Sequence, residues 1–415
     1  MKRIALTLAA FALTGALAFA QDAPAAPVVA LHGYLGTGFM LYGNNGATGQ
    51  LTTNTLSAMD RNNGGAVDFR ANFTLATPTD GVQFSFWNSS ATGSFAGTNL
   101  QYVYAWASFL DNQVVTKVGL QDDNTTGSEN MGYGSNDVPN TSGTNVPGKT
   151  AFGATGSGNI PGVDVVAKPA AVPGLAIDYF LPTPAQTAMT VNAGNAFASS
   201  RIGAAYGTDL FKVVANYMLD GTAANTPAFD FGVKVTPITG LKIRVEGSYA
   251  IAPNSSTAVT SQFIQDVGYT IPVNDTDSFT PYIYVREFLS PNGVAAGTNN
   301  AANWLASKNS GSITDLEFMP AVTYATKNVT YNLTLEYATT SGSTVNGVTS
   351  VYALEPAVTF ALPAAQSIQI GAAFGTMGND ALDGNFGQNI GGVTNSTSYG
   401  NNSAYELYLD YEYSF

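Results

Sequence analysis

The sequence predicts an all-β fold, a transmembrane antiparallel up-and-down β-barrel. Three observations carry that reading: too few charges to clothe a soluble globule, a period-two alternation of apolar and polar residues, and an export signal at the N-terminus. Only 10% of the 415 residues are charged, against about one quarter in ordinary globular proteins. Mean hydropathy is close to zero and 45% of residues are apolar, which fits neither a helical membrane protein nor a disordered chain. A bilayer can hide apolar surface without a coat of charges.

The N-terminus supplies the address. Lys2 and Arg3 are basic, Ile4 to Phe19 is uncharged and apolar, and Ala18-Phe19-Ala20 has the small-residue form that signal peptidase cuts. Residues 1–20 therefore read as a signal peptide cleaved before Gln21, and residues 21–415 as a single barrel domain. The alternative, a membrane anchor, needs a longer stretch without small residues at its end. Loss of Lys2 and Arg3 takes the basic residues from 15 to 13 against 28 acids, a net charge of −15. So acidic a chain is unsuited to nucleic acid. The absence of Cys agrees with export without requiring it.

No helix spans the bilayer in the mature part. Gly81 to Leu110 and Tyr179 to Ser200 lack charges, but Asn, Ser, Gly or Pro interrupts both, and neither holds about 18 consecutive apolar residues. The remaining structure able to satisfy every backbone group in lipid is a closed barrel. The strands themselves are readable. Val67, Phe69, Ala71, Phe73 and Leu75 alternate with Asp68, Arg70, Asn72 and Thr74. Leu241, Ile243, Val245 and Tyr249 alternate with Lys242, Arg244, Glu246 and Ser248. Val329, Tyr331, Leu333, Leu335 and Tyr337 alternate with Thr330, Asn332, Thr334 and Glu336. A period of two puts each set on its own face of a strand. A soluble sandwich would share the alternation, but not the export signal or the low charge.

Short turn-forming connections fall at Thr77 to Asp80, Asp111-Asn112, Pro182 to Ala185, Thr208-Asp209, Pro237 to Gly240, Asn274 to Asp277, Thr326 to Asn328 and Pro363 to Gln366. Longer Asn/Gly/Ser/Thr-rich segments lie between them, such as Gly43 to Gly64, Ser290 to Gly311 and Met377 to Asn402. Short turns on one side and long loops on the other are the habit of bacterial barrels. Those turns imply about eighteen strands, or sixteen if the weak segments around Val114 to Gln121 and Gln186 to Val191 are not counted. Pro320 to Ala325 echoes Pro356 to Ala361 almost residue for residue, which reads as shared geometry in successive hairpins.

At the chain end, Tyr405, Leu407, Leu409, Tyr411, Tyr413 and Phe415 share a face opposite Glu406, Asp410 and Glu412. This strand resembles the C-terminal strand of bacterial outer-membrane barrel proteins. The resemblance implies that it closes the barrel in outer-membrane lipid, with Tyr413 and Phe415 as the signal read by the barrel assembly machinery. A second resemblance lies at Gln101 to Asp123, QYVYAWASFLDNQVVTKVGLQDD: an aromatic strand, a two-residue turn, then a strand ending Gly119-Leu120-Gln121-Asp122. It is similar to the hairpin of the general porins that precedes the loop narrowing their barrel. Leu120 stands where that family usually has a basic residue, and the family's Pro-Glu-Phe-Gly-Gly loop tip is missing. The resemblance implies that the connection Asp122 to Ala171 enters the lumen, with Asp122, Asp123, Glu129, Asp137 and Asp164 at the constriction. It also implies a homotrimer.

By strand phase the inward bases are Arg70, Lys117, Arg201, Lys212, Lys234, Lys242, Arg244 and Arg286, five of which form a basic strip from Arg201 to Arg244. Inward acids Asp315, Glu317, Glu336 and Glu355 crowd the later strands, together with Glu406, Asp410 and Glu412. Opposed charged walls in a water-filled pore sort ions and orient dipolar solutes. Trp87, Tyr102, Tyr104 and Trp106 point inward on neighbouring strands, an aromatic track on which sugars could stack.

Nothing points to catalysis. His32 is the single histidine and no strand Ser offers a matching neighbourhood. No Cys/His metal site or phosphate-cradling Gly loop is present, and the acidic run Asp122-Asp123-Asn124 to Glu129 lacks defined cation-ligand spacing. No cofactor is called for. The expectation is an outer-membrane porin passing ions and small hydrophilic solutes by passive diffusion, with weak cation preference. Its alternatives are a substrate-selective, sugar-type channel and a non-conducting surface adhesin or structural barrel.

Overall fold

The period-two alternation becomes one antiparallel sheet closed on itself in the computed structural model. The structure describes residues 26–44, 57–58, 67–90, 99–121, 160–183, 200–218, 228–250, 261–290, 313–340, 350–375 and 404–415. Among these, eighteen strands build the barrel. They are β1 (Val28–Asn44), β2 (Val67–Ala76), β3 (Asp80–Ser90), β4 (Asn99–Phe109), β5 (Val114–Gln121), β6 (Ile160–Ala167), β7 (Leu175–Pro182), β8 (Arg201–Gly207) and β9 (Phe211–Met218). The second half is β10 (Ala228–Val235), β11 (Leu241–Ala250), β12 (Ser261–Tyr269), β13 (Ser278–Ser290), β14 (Ile313–Ala325), β15 (Val329–Thr340), β16 (Ser350–Leu362), β17 (Gln366–Gly375) and β18 (Ala404–Ser414). Two short ladders, Ser57–Ala58 against β1 and Ile271–Pro272 against β13, extend the sheet at its ends.

Each strand pairs with its sequence neighbours, and β18 pairs with β1 from Tyr34↔Ser414 to Asn44↔Tyr405, which closes the barrel. The last rung belongs to the terminal residue. Gly33 N–H donates to the Phe415 carbonyl at 2.7 Å, and Phe415 N–H donates back to the Gly33 carbonyl at 3.0 Å. The Phe415 ring then lies over Gly33, where a Cβ would meet ring carbons at 2.0–2.7 Å. Phe69 stacks on it at 6.4 Å and Tyr413 flanks it at 5.8 Å. The C-terminal Phe is thus a structural element of the seam.

Aromatics opposite glycines recur around the sheet: Trp106 over Gly81, Phe231 over Gly247, Tyr282 over Gly268 and Tyr408 over Gly371. A glycine leaves a notch in a pleated wall, and a ring on the next strand fills it. The echoed prolines have a register consequence. The ladder of β14 with β15 skips Met319-Pro320, and that of β16 with β17 skips Glu355-Pro356. A proline has no N–H to give its neighbour.

One expected turn is misplaced. The sequence reading puts a short turn at Pro182 to Ala185, whereas Pro182 belongs to the end of β7 and the turn falls at 168–174. Residues 184–199, including the weak segment Gln186 to Val191, lie outside the described residues. The signal was Pro173-Gly174, a dipeptide of the turn-forming kind. Gly174 has φ +88°, and a Cβ there would sit 2.1 Å from the Gly207 carbonyl. Gly240 does the same at the turn before β11, with φ +85° and the Thr270 carbonyl 2.3 Å from a Cβ. The strand count survives, because Ile160–Ala167 replaces the expected strand after Pro182.

The two faces separate as the alternation requires. Leu333 is 43% exposed and its neighbour Asn332 9%, where Asn332 accepts from Thr323 Oγ1 at 2.7 Å. In a bilayer, Leu333→Arg should destabilise the barrel by about 2–4 kcal/mol. Asn332→Arg should cost about 1 kcal/mol for its lost hydrogen bond. Urea unfolding in lipid vesicles separates the two, and equal losses contradict the assigned faces.

The turn between β12 and β13 titrates. Asn274 Nδ2 at 2.8 Å, Thr276 Oγ1 at 2.9 Å and the Tyr324 hydroxyl at 3.1 Å all donate to the Asp277 carboxylate. The Asn274 bond first, then the Thr276 bond, hold its pKa below the ordinary value. A depressed folded pKa contributes stability above the ordinary aspartate value of about 3.9 and loses it as pH falls through the lowered value. Amide exchange at this turn should therefore quicken in acid, and Asp277→Asn should abolish that acid-dependent component.

Candidate functional site: the lumen wall

The candidate site is the concave face, because alternation sends every second side chain there. All eight bases singled out from the sequence fall on the inward phase. Registers then decide which of them meet. Lys212, Lys234, Arg244, Asp266 and Tyr284 face one another in turn across β9 to β13. Lys212 and Lys242 are exposed near the short-turn rim, whereas Arg244 is 1% exposed.

Arg244 is held by acids from two strands. Its guanidinium donates to the Asp266 carboxylate on β12, directly opposite, and its Nη1 lies 3.6 Å from Glu246 Oε1 two residues along β11. Burying a guanidinium is costly unless its charge is matched. This triad meets that demand inside the basic strip, and it removes Arg244 from the free positive charge of the wall. By register, Arg286 of β13 stands opposite Glu317 of β14.

A second row crosses β4 to β8: Trp106, Lys117, Asp164, Phe180 and Arg201. Lys117 Nζ sits 5.8 Å from the Tyr104 ring centroid, and the Arg201 guanidinium 5.7 Å from that of Phe180. Tyr104 donates to Gln83 Oε1 at 2.8 Å. On the closing strands, Tyr34 donates to Glu412 Oε1 at 3.1 Å, and Arg70 stands 5.9 Å from the Tyr34 ring.

Asp164 corrects an expectation. It is a wall residue of β6 opposite Lys117, not a member of a constriction loop, because the long connection ends before Ile160. Asp122, Asp123, Glu129 and Asp137 lie outside the described residues. Trp87, Asp315, Glu317 and Glu336 sit on inward phases of β3, β14 and β15. Tyr102 and Glu355 are placed inward, Glu355 at 1% exposure.

Sequence reasoning placed Glu246 on the polar face of its strand but did not count it, or Asp178, Asp230 and Asp266, among the inward acids; all four are buried and inward, on strands that carry the bases or pair with them. Their phase was readable from the same alternation. They change the electrostatic picture, since acids are interleaved with the basic strip instead of facing it from the other wall. Among the described residues no group of His, Asp and Glu is placed to hold a metal ion.

No family model matches the chain, and no curated protein matches it in sequence. Among solved structures, the anion-selective porin from Comamonas acidovorans is similar with a TM-score of 0.50 and 12% identity, covering 94% of this chain and 100% of that one. A loop-deletion mutant of OmpT, an outer membrane protein of Vibrio cholerae, has a TM-score of 0.48 at 13% identity over 94% and 100%. A mutant of the Rh. blastica porin gives the same values. The chain has the fold of the porin β-barrels.

The Arg244 triad is open to a direct test. Arg244→Ala leaves Asp266 and Glu246 facing each other without their cation, and should destabilise the barrel by about 3–5 kcal/mol. Asp266→Asn alone should cost less, because Glu246 still matches the guanidinium. Denaturant midpoints of the reconstituted barrel measure both.

Proposed function

We propose that the chain is an outer-membrane porin, a non-enzymatic channel through which ions and small hydrophilic solutes diffuse. One observation carries the reading: polar and ionised side chains line the concave face of a closed barrel whose convex face is apolar. Such a wall solvates a passing solute on one side and satisfies lipid on the other. A homotrimer is the assembly that the porin resemblance implies.

Ion preference follows from this chain's own charges. Residues 122–159 carry Asp122, Asp123, Glu129 and Asp137 against Lys149. Screening falls off over about 8–10 Å near physiological salt, so charges close to the narrowest point govern. If this segment narrows the lumen, the constriction is negative. The wall adds little to oppose it, because Arg244 is matched by Asp266 and Glu246. The Tyr104 face already carries Lys117, which favours general diffusion over a sugar-stacking track.

Planar-bilayer recording in a salt gradient tests the proposal. The reversal potential should have the cation-selective sign and shrink as salt rises. Lys212→Glu plus Lys242→Glu, both at the exposed rim, should change it little, because salt screens charges remote from the narrowest point. Anion-selective sign overturns the charge argument, and absence of conductance from folded protein overturns the channel.

A further inference from the structure

On the convex face, one wall breaks the apolar rule. Among the described residues, Glu287 on β13 is the single acid or base on the outward phase away from the strand ends, Asp80 being bound into its turn by Thr77. Glu287 shares its face with Ile283 and Val285 and stands opposite Phe263 of β12. It lies eight residues beyond Phe279, about 20 Å up a strand tilted near 40° and still inside the roughly 25 Å apolar band of such barrels. Gln265, exposed and midway along β12, occupies the diagonal position on the same face. Neither side chain has a hydrogen-bond partner among the described residues.

Beside them lies an aromatic cluster. Phe229 stacks on Phe231 at 6.1 Å, and Phe231 leans toward Phe263 at 6.5 Å across the notch at Gly247. The wall therefore combines a flat aromatic patch, an acceptor carboxyl and a donor carboxamide. Hydrocarbon chains offer nothing to either polar group, while aromatic anchors with few charges are what protein interfaces place at their centre.

We infer that this wall is the contact between copies of the chain, gathered about an axis normal to the membrane that runs beside β12 and β13. Rotation about that axis keeps depth, so it brings the Gln265 carboxamide toward Glu287 of the partner subunit. The N–H donates and the carboxyl oxygen accepts. Donor and acceptor sit side by side on one surface, so a second copy satisfies both, as a closed cyclic assembly requires. The inference rests on the membrane placement in the porin reading, not on conduction.

The chain has no Cys, which makes engineered thiols unambiguous. Full-length Gln265→Cys and Glu287→Cys chains are co-expressed and oxidised with copper phenanthroline in native outer membranes. Ala105→Cys on β4, nine strands away around the barrel, serves as the comparison wall. A disulfide-linked dimer of the first pair and none at Ala105→Cys is expected. Monomers only from folded first-pair barrels, equal linking at β4, or an adduct with a different protein each overturn the inference. Gln265→Leu plus Glu287→Leu should fold and lose the oligomer on unheated gels; an oligomer that persists also overturns it. A barrel that links but does not conduct overturns the channel and leaves this contact standing.

Discussion

The constraint on which the rest depends is that no backbone N–H or C=O can be left unpaired inside lipid. A sheet meets it only by joining its own edges, and here the joint is the ladder between β1 and β18. That ladder is finished by the terminal residue, through reciprocal hydrogen bonds between Gly33 and Phe415. Gly33 can have no side chain because the Phe415 ring occupies that space. The seam therefore ties the identity of the last residue to the identity of one near the first.

Closure in turn forces two faces on every strand, and each face solves a different problem. The convex face needs only apolar fit, which Phe, Tyr, Leu and Val supply, with Phe231 filling the notch at Gly247. The concave face must hold charges where neighbouring side chains limit access to water. A guanidinium there needs an acid within reach, and antiparallel register places Asp266 opposite Arg244. Asp230, Glu246 and Asp266 accordingly stand among the bases of β9 to β13, and the net charge of that wall is smaller than a count of its bases suggests.

How much of this is readable follows from what sequence encodes locally. Strands such as Val67–Ala76 and Ala404–Ser414 are plain, because both period and ends are local properties. The turn at 168–174 is lost because Pro182 to Ala185 looks equally turn-like, and only the close approach of Gly174 to Gly207 decides between them. Placing Asp164 in a loop follows from that one displacement. The Arg244 triad is half readable: Glu246 shares its strand, but Asp266 meets it through a register set by the length of the intervening connection. Pairing across strands is a tertiary fact that alternation does not contain.

The same distinction governs the electrostatics. A net charge of −13, from 15 bases and 28 acids, suggests a strongly cation-attracting pore, and a basic strip on one wall suggests the reverse. Neither sum describes what an ion meets. Charges matched in place, like Arg244 with Asp266 and Glu246, contribute short-range dipoles whose field is gone within a few ångströms of the wall. Charges at the exposed rim, like Lys212 and Lys242, are screened by the salt that bathes them. What remains is the unmatched charge nearest the narrowest cross-section, so selectivity is a property of position and pairing before it is a property of composition.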